Sequence, residues 1–379
     1  MGDDASAMYL GLISGTSADS IDSVLVSFQR GVPLLLASHS HPWPDALRER
    51  MIAVAQGETA LDIDALGRLD VQIGLGFADA ALALLEHSGT SASAVRAIGS
   101  HGQTLRHRPG GEHPFTLQLG DPSIIAERCG IDVVADFRRA DIAAGGQGAP
   151  LLPALHAMLL SRPGHTRVVL NLGGIANITV LAADGRVIGF DTGPANGLLD
   201  AWCQRQRGEP FDRDGAYAAS GDCDDELLAS LLSDPYFALA PPKSTGREHF
   251  HLDWLARHRR AAALAPADLQ ATLLELTARS VAAAIAQHAP EAQEVLACGG
   301  GVHNGALMRR LAELLAPSVL LSTSRYGIDP DFLEATAFAW LARQRLLGLP
   351  GNLPSVTGAR GPRVLGAVYS APAPAAGSL

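Results

Sequence analysis

Two stretches of the chain repeat one pattern, and that repetition limits the folds open to it. Near the start, "MYLGLISGTSADSIDSVLVSFQRGVPLLLASHSH" (8–41) holds three apolar runs separated by a Gly-Ser-Thr turn and by "QRG". Further on, "RVVLNLGGIANITVLAADGRVIGFDTGP" (167–194) holds three more, separated by "GG" and "ADG". Short β-branched runs bounded by such turns predict an antiparallel meander in each half. The echo continues. "VRAIGSHGQT" (95–104) and "EVLACGGGVHN" (294–304) are short apolar strands ending in polar or glycine-rich turns. Each follows an Ala/Leu-rich helical pattern, "LGFADAALALLEH" and "TARSVAAAIAQH". "GIDVVADFR" and "PSVLLSTSR" then close each half with one more strand. The pattern fits two copies of one α/β domain facing each other across a cleft. Its alternative is a chance likeness between two generic α/β domains.

The length of 379 residues agrees with two domains. A formal net charge of −10 argues against nucleic acid and for a small soluble ligand. No apolar run reaches the ~18–20 residues of a membrane span. The opening "MGDDASAM" lacks the apolar core of an export signal, although it loosely matches a Met-Gly-x-x-x-Ser myristoylation pattern. Asn177-Ile-Thr179 matches a glycosylation sequon inside an apolar stretch. Cys129, Cys203, Cys223 and Cys298 are far apart, which fits free thiols in a reducing cytoplasm. No histidine pair has metal-ligand spacing on a helix, so no zinc site is expected. "AAGGQGAPLLP" (143–153) reads as the break and hinge between the halves. The expected domains are therefore residues 8–143 and 144–345. Residues 346–379 form a C-terminal segment that can return to the first domain and ends in a mobile tail. The stretch 220–250 reads as a loop and short-helix insertion.

Two meander turns, "SGTSADS" and "NLGGIAN", face the cleft in this arrangement. Glycine lets backbone N–H groups approach a phosphate without a Cβ in the way, although a tight hairpin requires glycine on its own account. Together, at matching places, the two turns suit the two ends of a triphosphate. "ACGGGVHNGALMRRLAELL" adds a strand, a triple-glycine turn and an amphipathic helix whose first N–H groups could carry nucleotide contacts. It has neither the Walker A nor the Rossmann spacing.

Seven segments in order resemble the motifs of the anhydro-N-acetylmuramic acid kinase family, within the actin/hexokinase/Hsp70 ATPase superfamily. They are "GLISGTSADSID", "GSHGQTLRHRP", "DFRRADIAAGGQGAPL", "NLGGIANIT", "GFDTGPANGLLD", "ACGGGVHN" and "GIDPDFLEATAFAWLA", spanning Gly11 to Ala342. The resemblance implies two facing actin/hexokinase-like α/β domains with a nucleotide cleft between them. It implies a kinase that uses ATP and Mg²⁺ to open 1,6-anhydro-N-acetylmuramic acid with water and phosphorylate O6, in peptidoglycan recycling. A homodimer is also in keeping with it.

By the same resemblance, Gly15, Thr16, Ser17, Ala18, Asp19, Ser20, Ile21 and Asp22 form the first phosphate turn, and Asp19 or Asp22 holds Mg²⁺ through water. Asn171, Gly173 and Gly174 form the second phosphate turn, and Gly299, Gly300 and Gly301 the third. Ser20 stands where the family usually has glycine; a positive φ there would cost about 1 kcal/mol. Opening the bridge requires a base for water. Asp191, read as ending the third strand of the second meander, is the candidate; a helix-capping role is its plain alternative. Glu334 is expected to orient the sugar or assist, against a solvent-facing helical glutamate. His101, Gln103 and Thr104 offer hydrogen bonds to the sugar. Arg138 and Arg139 suit its lactyl carboxylate, with Arg106, His107 and Arg108 as the rival basic cluster. Two other classes stand beside this reading: another phosphotransferase or phosphatase on the same fold, and a non-enzymatic nucleotide switch.

Overall fold

The structure is a computed structural model and describes residues 7–15, 18–57, 59–246 and 249–373. The myristoylation pattern, Thr16, Ser17 and the end of the expected mobile tail lie outside the described residues. The described strands are β1 (Met8–Ile13), β2 (Ser20–Gln29), β3 (Val32–Pro42), β4 (Val95–Ser100), β5 (Gln103–Arg108), β6 (Phe115–Leu119), β7 (Val133–Ala135), β8 (Arg167–Leu172), β9 (Ile175–Leu181), β10 (Val187–Pro194), β11 (Glu294–Cys298), β12 (Val319–Ser322) and β13 (Ala367–Tyr369). The chain divides into two units: Met1–Leu155 with Phe332–Leu379, and His156–Asp331.

The first unit holds a sheet of order β13-β7-β4-β1-β2-β3. Its first three strands form the antiparallel meander, and β4 and β7 continue it in parallel. Arg30 and Gly31, both at positive φ, make the tight β2–β3 turn, the backbone that a two-residue hairpin of matching twist demands. The helix Ile63–Ser88 covers one face. Asp62 caps it by accepting from the Ala65 N–H at 2.6 Å. Leu69, Ile73, Phe77, Ala81 and Leu84 put its apolar stripe into the core.

The helix Leu333–Leu346 packs on β1, β2 and β4 of the same unit. Gly11 and Gly99 are paired across β1 and β4. A Cβ on Gly11 would run into the Ala335 carbonyl, and one on Gly99 into the Phe338 carbonyl. Backbone therefore lies directly on backbone, and residues Ala335 to Ala342 are all buried.

The second unit repeats the scheme in the order β10-β9-β8-β11-β12, with β8, β9 and β10 antiparallel and β11 and β12 parallel to β8. Its core gathers Val168, Leu170, Phe190, Leu198, Leu273 and Leu311. The stretch 220–250 does contain short helices, Asp225–Leu232 among them, capped by Asp224. Among the described residues, no helix is long and apolar enough to cross a membrane. The four cysteines form no disulfide.

The unit boundaries differ from those expected, while the C-terminal segment returns to the first unit as expected. The units divide after Leu155 and after Asp331 rather than at 143 and 345, because the "AAGGQGAP" loop and the helix Leu333–Leu346 are both fastened into the first unit. The C-terminal segment reaches the first sheet as β13, antiparallel to β7. The rival basic cluster Arg106–Arg108 lies in a strand: β5 pairs with β6, and Arg106 Nη1 donates to the carbonyls of Val54 (2.7 Å) and Ala55 (3.1 Å), capping the helix Asp45–Gln56.

The glycine contact makes a sharp expectation. Gly99→Ala has no side-chain end to push aside, so it should lose about 3 kcal/mol or more. Gly67→Ala, in a helix with open space around it, should gain up to about 1 kcal/mol. Urea midpoints of the two variants check the contrast; equal midpoints would contradict the packing.

Candidate functional site

Parallel α/β sheets bind ligands beyond the carboxyl ends of their strands. In the first unit β1 ends at Ile13 and β4 at Ser100, side by side. The turns that follow are stitched together: the His101 N–H donates to the Leu12 carbonyl at 3.0 Å, and Gln103 Nε2 to the Gly15 carbonyl at 3.2 Å. Trp43 Nε1 donates to Ser14 Oγ at 3.0 Å.

In the first turn, Asp19 is exposed and pairs with Arg48 Nη2 at 2.6 Å. Asp22 lies within β2 and accepts from Ser20 Oγ (3.1 Å) and Ser40 Oγ (2.7 Å). Ser20 simply begins β2; the positive φ falls on Ala18, at 50°, so the serine in place of glycine adds no strain. Ala18 and Ile21 point into the core, and the Ala18 backbone is itself taken, its N–H donating to the Gly15 carbonyl and its carbonyl accepting from Arg48 Nε, each at 3.0 Å. Thr104 opens onto β6, where its Oγ1 accepts from Gln118 Nε2.

The two consecutive arginines part company. Arg138 donates through Nε and Nη2 to His101 Nε2 (3.0 and 2.9 Å) and through Nη1 to the Gly148 carbonyl (2.7 Å). Arg139 is 60% exposed, with Asp136 at 3.4 Å. Three buried polar atoms at this strand end meet no protein partner: Ser100 Oγ, His101 Nδ1 and Gln103 Oε1. Ser100 was missing from the expected set. Its place as the last residue of a parallel strand is the signal that points to it. Glu334 sits half-buried in the first turn of the helix Leu333–Leu346.

In the second unit, Asn171 lies near the end of β8, beside Gly299. That glycine has φ 81°, and a Cβ on it would strike Asn171 Oδ1 and the Leu172 backbone. The Gly173 and Gly174 carbonyls accept from Asn196, Ala195 and Gly197, tying the turn to the start of the helix Asn196–Arg207. The start of the helix Gly305–Leu315 corrects an expectation. Its Gly305 and Leu307 N–H groups are already taken by Asp214 (2.9 Å) and Asn304 (3.0 Å), so those amides are not a phosphate seat. The Gly299–Gly301 turn before it is what remains.

Asp191 does not end β10. It lies within the strand opposite Asn177, just before a register shift at Gly193. Bulges of this kind re-aim side chains. The next helix has Ala195 at its N-cap with no side-chain bond, so Asp191 is not its cap. The insertion holds it instead. Asp191 Oδ2 accepts from the Thr245 N–H (2.9 Å), its N–H donates to the Lys243 carbonyl (3.2 Å), and its carbonyl accepts from Tyr236 OH (2.6 Å). Lys243 also escaped the expected set. Its Nζ donates to the Tyr236 and Phe237 carbonyls at 3.2 Å and lies 4.8 Å from the Tyr236 ring centroid. Burial lowers its pKa, and the nearby Asp191 charge opposes that. It is the only lysine in the sequence, a signal legible from composition alone.

Two sheets that share one strand order, each with small-residue turns past its parallel strand ends, define a two-unit α/β protein. Residues 7–371 match the sequence family described as anhydro-N-acetylmuramic acid kinase. The chain belongs to the anhydro-N-acetylmuramic acid kinase family. A relative of that name from Xanthomonas campestris pv. campestris (strain 8004) is 58% identical over 369 residues, covering 97% of this chain and 98% of that protein. Another of that name, from Xylella fastidiosa (strain Temecula1 / ATCC 700964), is 54% identical over 368 residues, covering 96% of both. Among solved structures, the Acidaminococcus fermentans (R)-2-hydroxyglutaryl-CoA dehydratase component A is similar at 11% identity and a TM-score of 0.47, covering 88% of this chain and 97% of that one.

Buried histidines shape the pH response. Burial, then the Arg138 charge, drives the His101 pKa well below its ordinary value. The same two causes take His107 down to about 4, and burial alone takes His156 to about 3. Above about pH 6.5 these rings are neutral in both folded and unfolded chains, and stability is full. Below it the unfolded chain takes up protons that the folded one refuses, so stability falls with pH. His156, 1% exposed and bonded to Thr179 Oγ1 at 2.9 Å, should contribute up to about 1.4 kcal/mol per pH unit between pH 6 and 4. Urea titrations at pH 6 and 5 should show a smaller slope in His156→Asn; an unchanged slope would contradict this.

Proposed function

We propose that the chain is a cytoplasmic, ATP-dependent kinase in peptidoglycan recycling. It opens 1,6-anhydro-N-acetylmuramic acid with water and phosphorylates O6, giving N-acetylmuramic acid 6-phosphate and ADP. The observation that carries this reading is the match, over 97% of the chain, to a relative of that name at 58% identity.

The substrate's O6 is locked in an ether to C1, so the chemistry couples two events. Water adds its oxygen to C1, the C1–O6 bond breaks, and O6 takes the γ-phosphoryl group as ADP leaves. Water's proton goes to a base, for which Asp191 is the candidate. The support is geometric. Three hydrogen bonds from the insertion and Tyr236 fix the backbone and one carboxylate oxygen of Asp191. Lys243 lies close enough to feel its charge.

Phosphates would meet backbone N–H groups in the first turn beside Gly15, at Gly173 and Gly174, and at Gly300 and Gly301, the Gly299 N–H being taken by the Pro330 carbonyl at 2.8 Å. Among the described residues, no three His, Cys, Asp or Glu side chains cluster as a metal cage. Mg²⁺ would arrive with the triphosphate and keep its waters, with exposed Asp19 better placed than Asp22 to reach one of them. Mg²⁺ supplies charge neutralisation on the phosphoryl oxygens. On the sugar side, Ser100, His101 and Gln103 present buried polar atoms that need partners. Exposed Arg139 suits the lactyl carboxylate better than Arg138, which is bound to His101 and Gly148. Glu334 is assigned to orienting the sugar.

Asp191→Asn keeps shape and loses the base. The turnover rate should drop about 10²–10⁴-fold while the KM values for ATP and sugar move far less. In ¹⁸O-labelled water the unmutated protein should place label on C1 of the product and none on phosphate. Labelled phosphate would mean that water attacks ATP directly, making the protein an ATPase. Full activity in the variant would move the base role to another carboxylate.

A further inference from the structure

We infer that Arg138 is a positioning residue: it holds His101 as the neutral tautomer protonated on Nδ1, presenting a buried N–H donor to an uncharged acceptor oxygen of the sugar. The inference rests on the substrate-facing role given to His101 above. A guanidinium carries only donors and does not give up its charge. Two of its N–H groups converge on His101 Nε2, at 3.0 and 2.9 Å. The Nε2 lone pair is therefore engaged, and the ring proton must sit on Nδ1. A second proton is opposed by burial and by the adjacent cation. A Gly102 backbone group beside the ring acts the other way and is outweighed.

The ring itself is 7% exposed and lies against Phe338, with centroids 4.7 Å apart. Its Nδ1 makes no well-formed hydrogen bond to the protein. A buried donor left unmatched is costly, so its natural partner is a ligand atom. Because the donor is neutral, it fits the N-acetyl carbonyl or a hydroxyl oxygen rather than the lactyl carboxylate.

Arg138 is anchored in turn. Its Nη1 donates to the Gly148 carbonyl at 2.7 Å, and the Gly148 N–H donates to Asp141 Oδ2 at 2.7 Å. Asp141 is fully buried, and its Oδ1 accepts from Asn352 Nδ2 (2.6 Å) and Thr357 Oγ1 (2.8 Å). The Gln147 N–H donates to the Thr357 carbonyl at 2.7 Å. Gly146 is required here, since a Cβ on it would run into the Asp141 carboxylate. A carboxylate and the C-terminal segment thus fix the loop carbonyl that fixes the arginine that fixes the imidazole.

The test is ¹⁵N NMR of the full chain labelled at histidine, with His101 assigned by the signal lost in His101→Gln. The unmutated protein should show the Nδ1–H pattern for His101, unchanged from pH 5.5 to 8.5. In Arg138→Met the ring should shift toward the Nε2–H form. An Nε2–H pattern, or a titration inside that range, in the unmutated protein overturns the inference. An unshifted His101 in a folded Asp141→Asn variant overturns the anchoring role, and Asn352→Asp should restore the unmutated pattern in that background. Kinetics test the ligand half. Asparagine can place an N–H where Nδ1 was, whereas glutamine reaches the place of Nε2. The sugar KM should rise about 10–100-fold in His101→Gln and only about fivefold in His101→Asn, with the ATP KM steady in both. Equal losses overturn the donor at Nδ1. An unchanged sugar KM in both removes His101 from the substrate, a failure told apart from that of the arginine by the spectrum.

Discussion

Two paired glycines, Gly11 and Gly99, hold the first unit together by having no side chains. They let the helix Leu333–Leu346 rest its backbone on β1 and β4. A methyl group at either strand position would lift the helix off the sheet, and the packing of Phe338 against His101 and Phe137 would be lost with it. That helix carries Glu334, closes the core on the face opposite the helix Ile63–Ser88, and leads into the segment that delivers Asn352, Thr357 and β13. Much of what is distinctive in the first unit follows from this close approach.

The two units use the same sheet for different ends. In the first, the turn after β4 is polar and leaves buried atoms unmatched, while an arginine and a distant carboxylate hold its histidine. In the second, the turn after β11 is nearly bare backbone, and Asp191, the proposed base, sits on the meander at a bulge, held by the insertion.

The meanders and parallel strands were legible because alternating apolar runs and glycine turns carry their own local signal. The β5–β6 hairpin was not, because "QTLRHR" looks like a charged turn. Its polar side chains find partners only once folded, His107 Nδ1 at Thr116 and Thr104 at Gln118 across the hairpin, and Arg106 at the carbonyls of Val54 and Ala55. The Asp191 candidate could be picked out by motif, but the bulge that aims it depends on pairing with β9, which no single strand reveals. Arg138 and Arg139 are adjacent and chemically identical; only the fold turns one inward. "AAGGQGAP" looked like a joint because its glycines are flexible in isolation. What stiffens it is Asp141 with Asn352 and Thr357, from the far end of the chain. Lys243 shows the converse: its singularity was open to counting, but its meaning came from the rings and carbonyls around it.

The discontinuous first unit has a consequence for birth on the ribosome. Chains emerge from the N-terminus and domains generally fold as units. Here β1 through β7 emerge early, yet the face marked by Gly11 and Gly99 stays uncovered until residue 346 has been made. The second unit, continuous from His156 to Asp331, can complete its core before that moment. The part of the protein synthesised first is therefore finished last, and through most of translation it presents a half-built sheet. Such a nascent chain is a natural client for chaperones, however stable the completed protein.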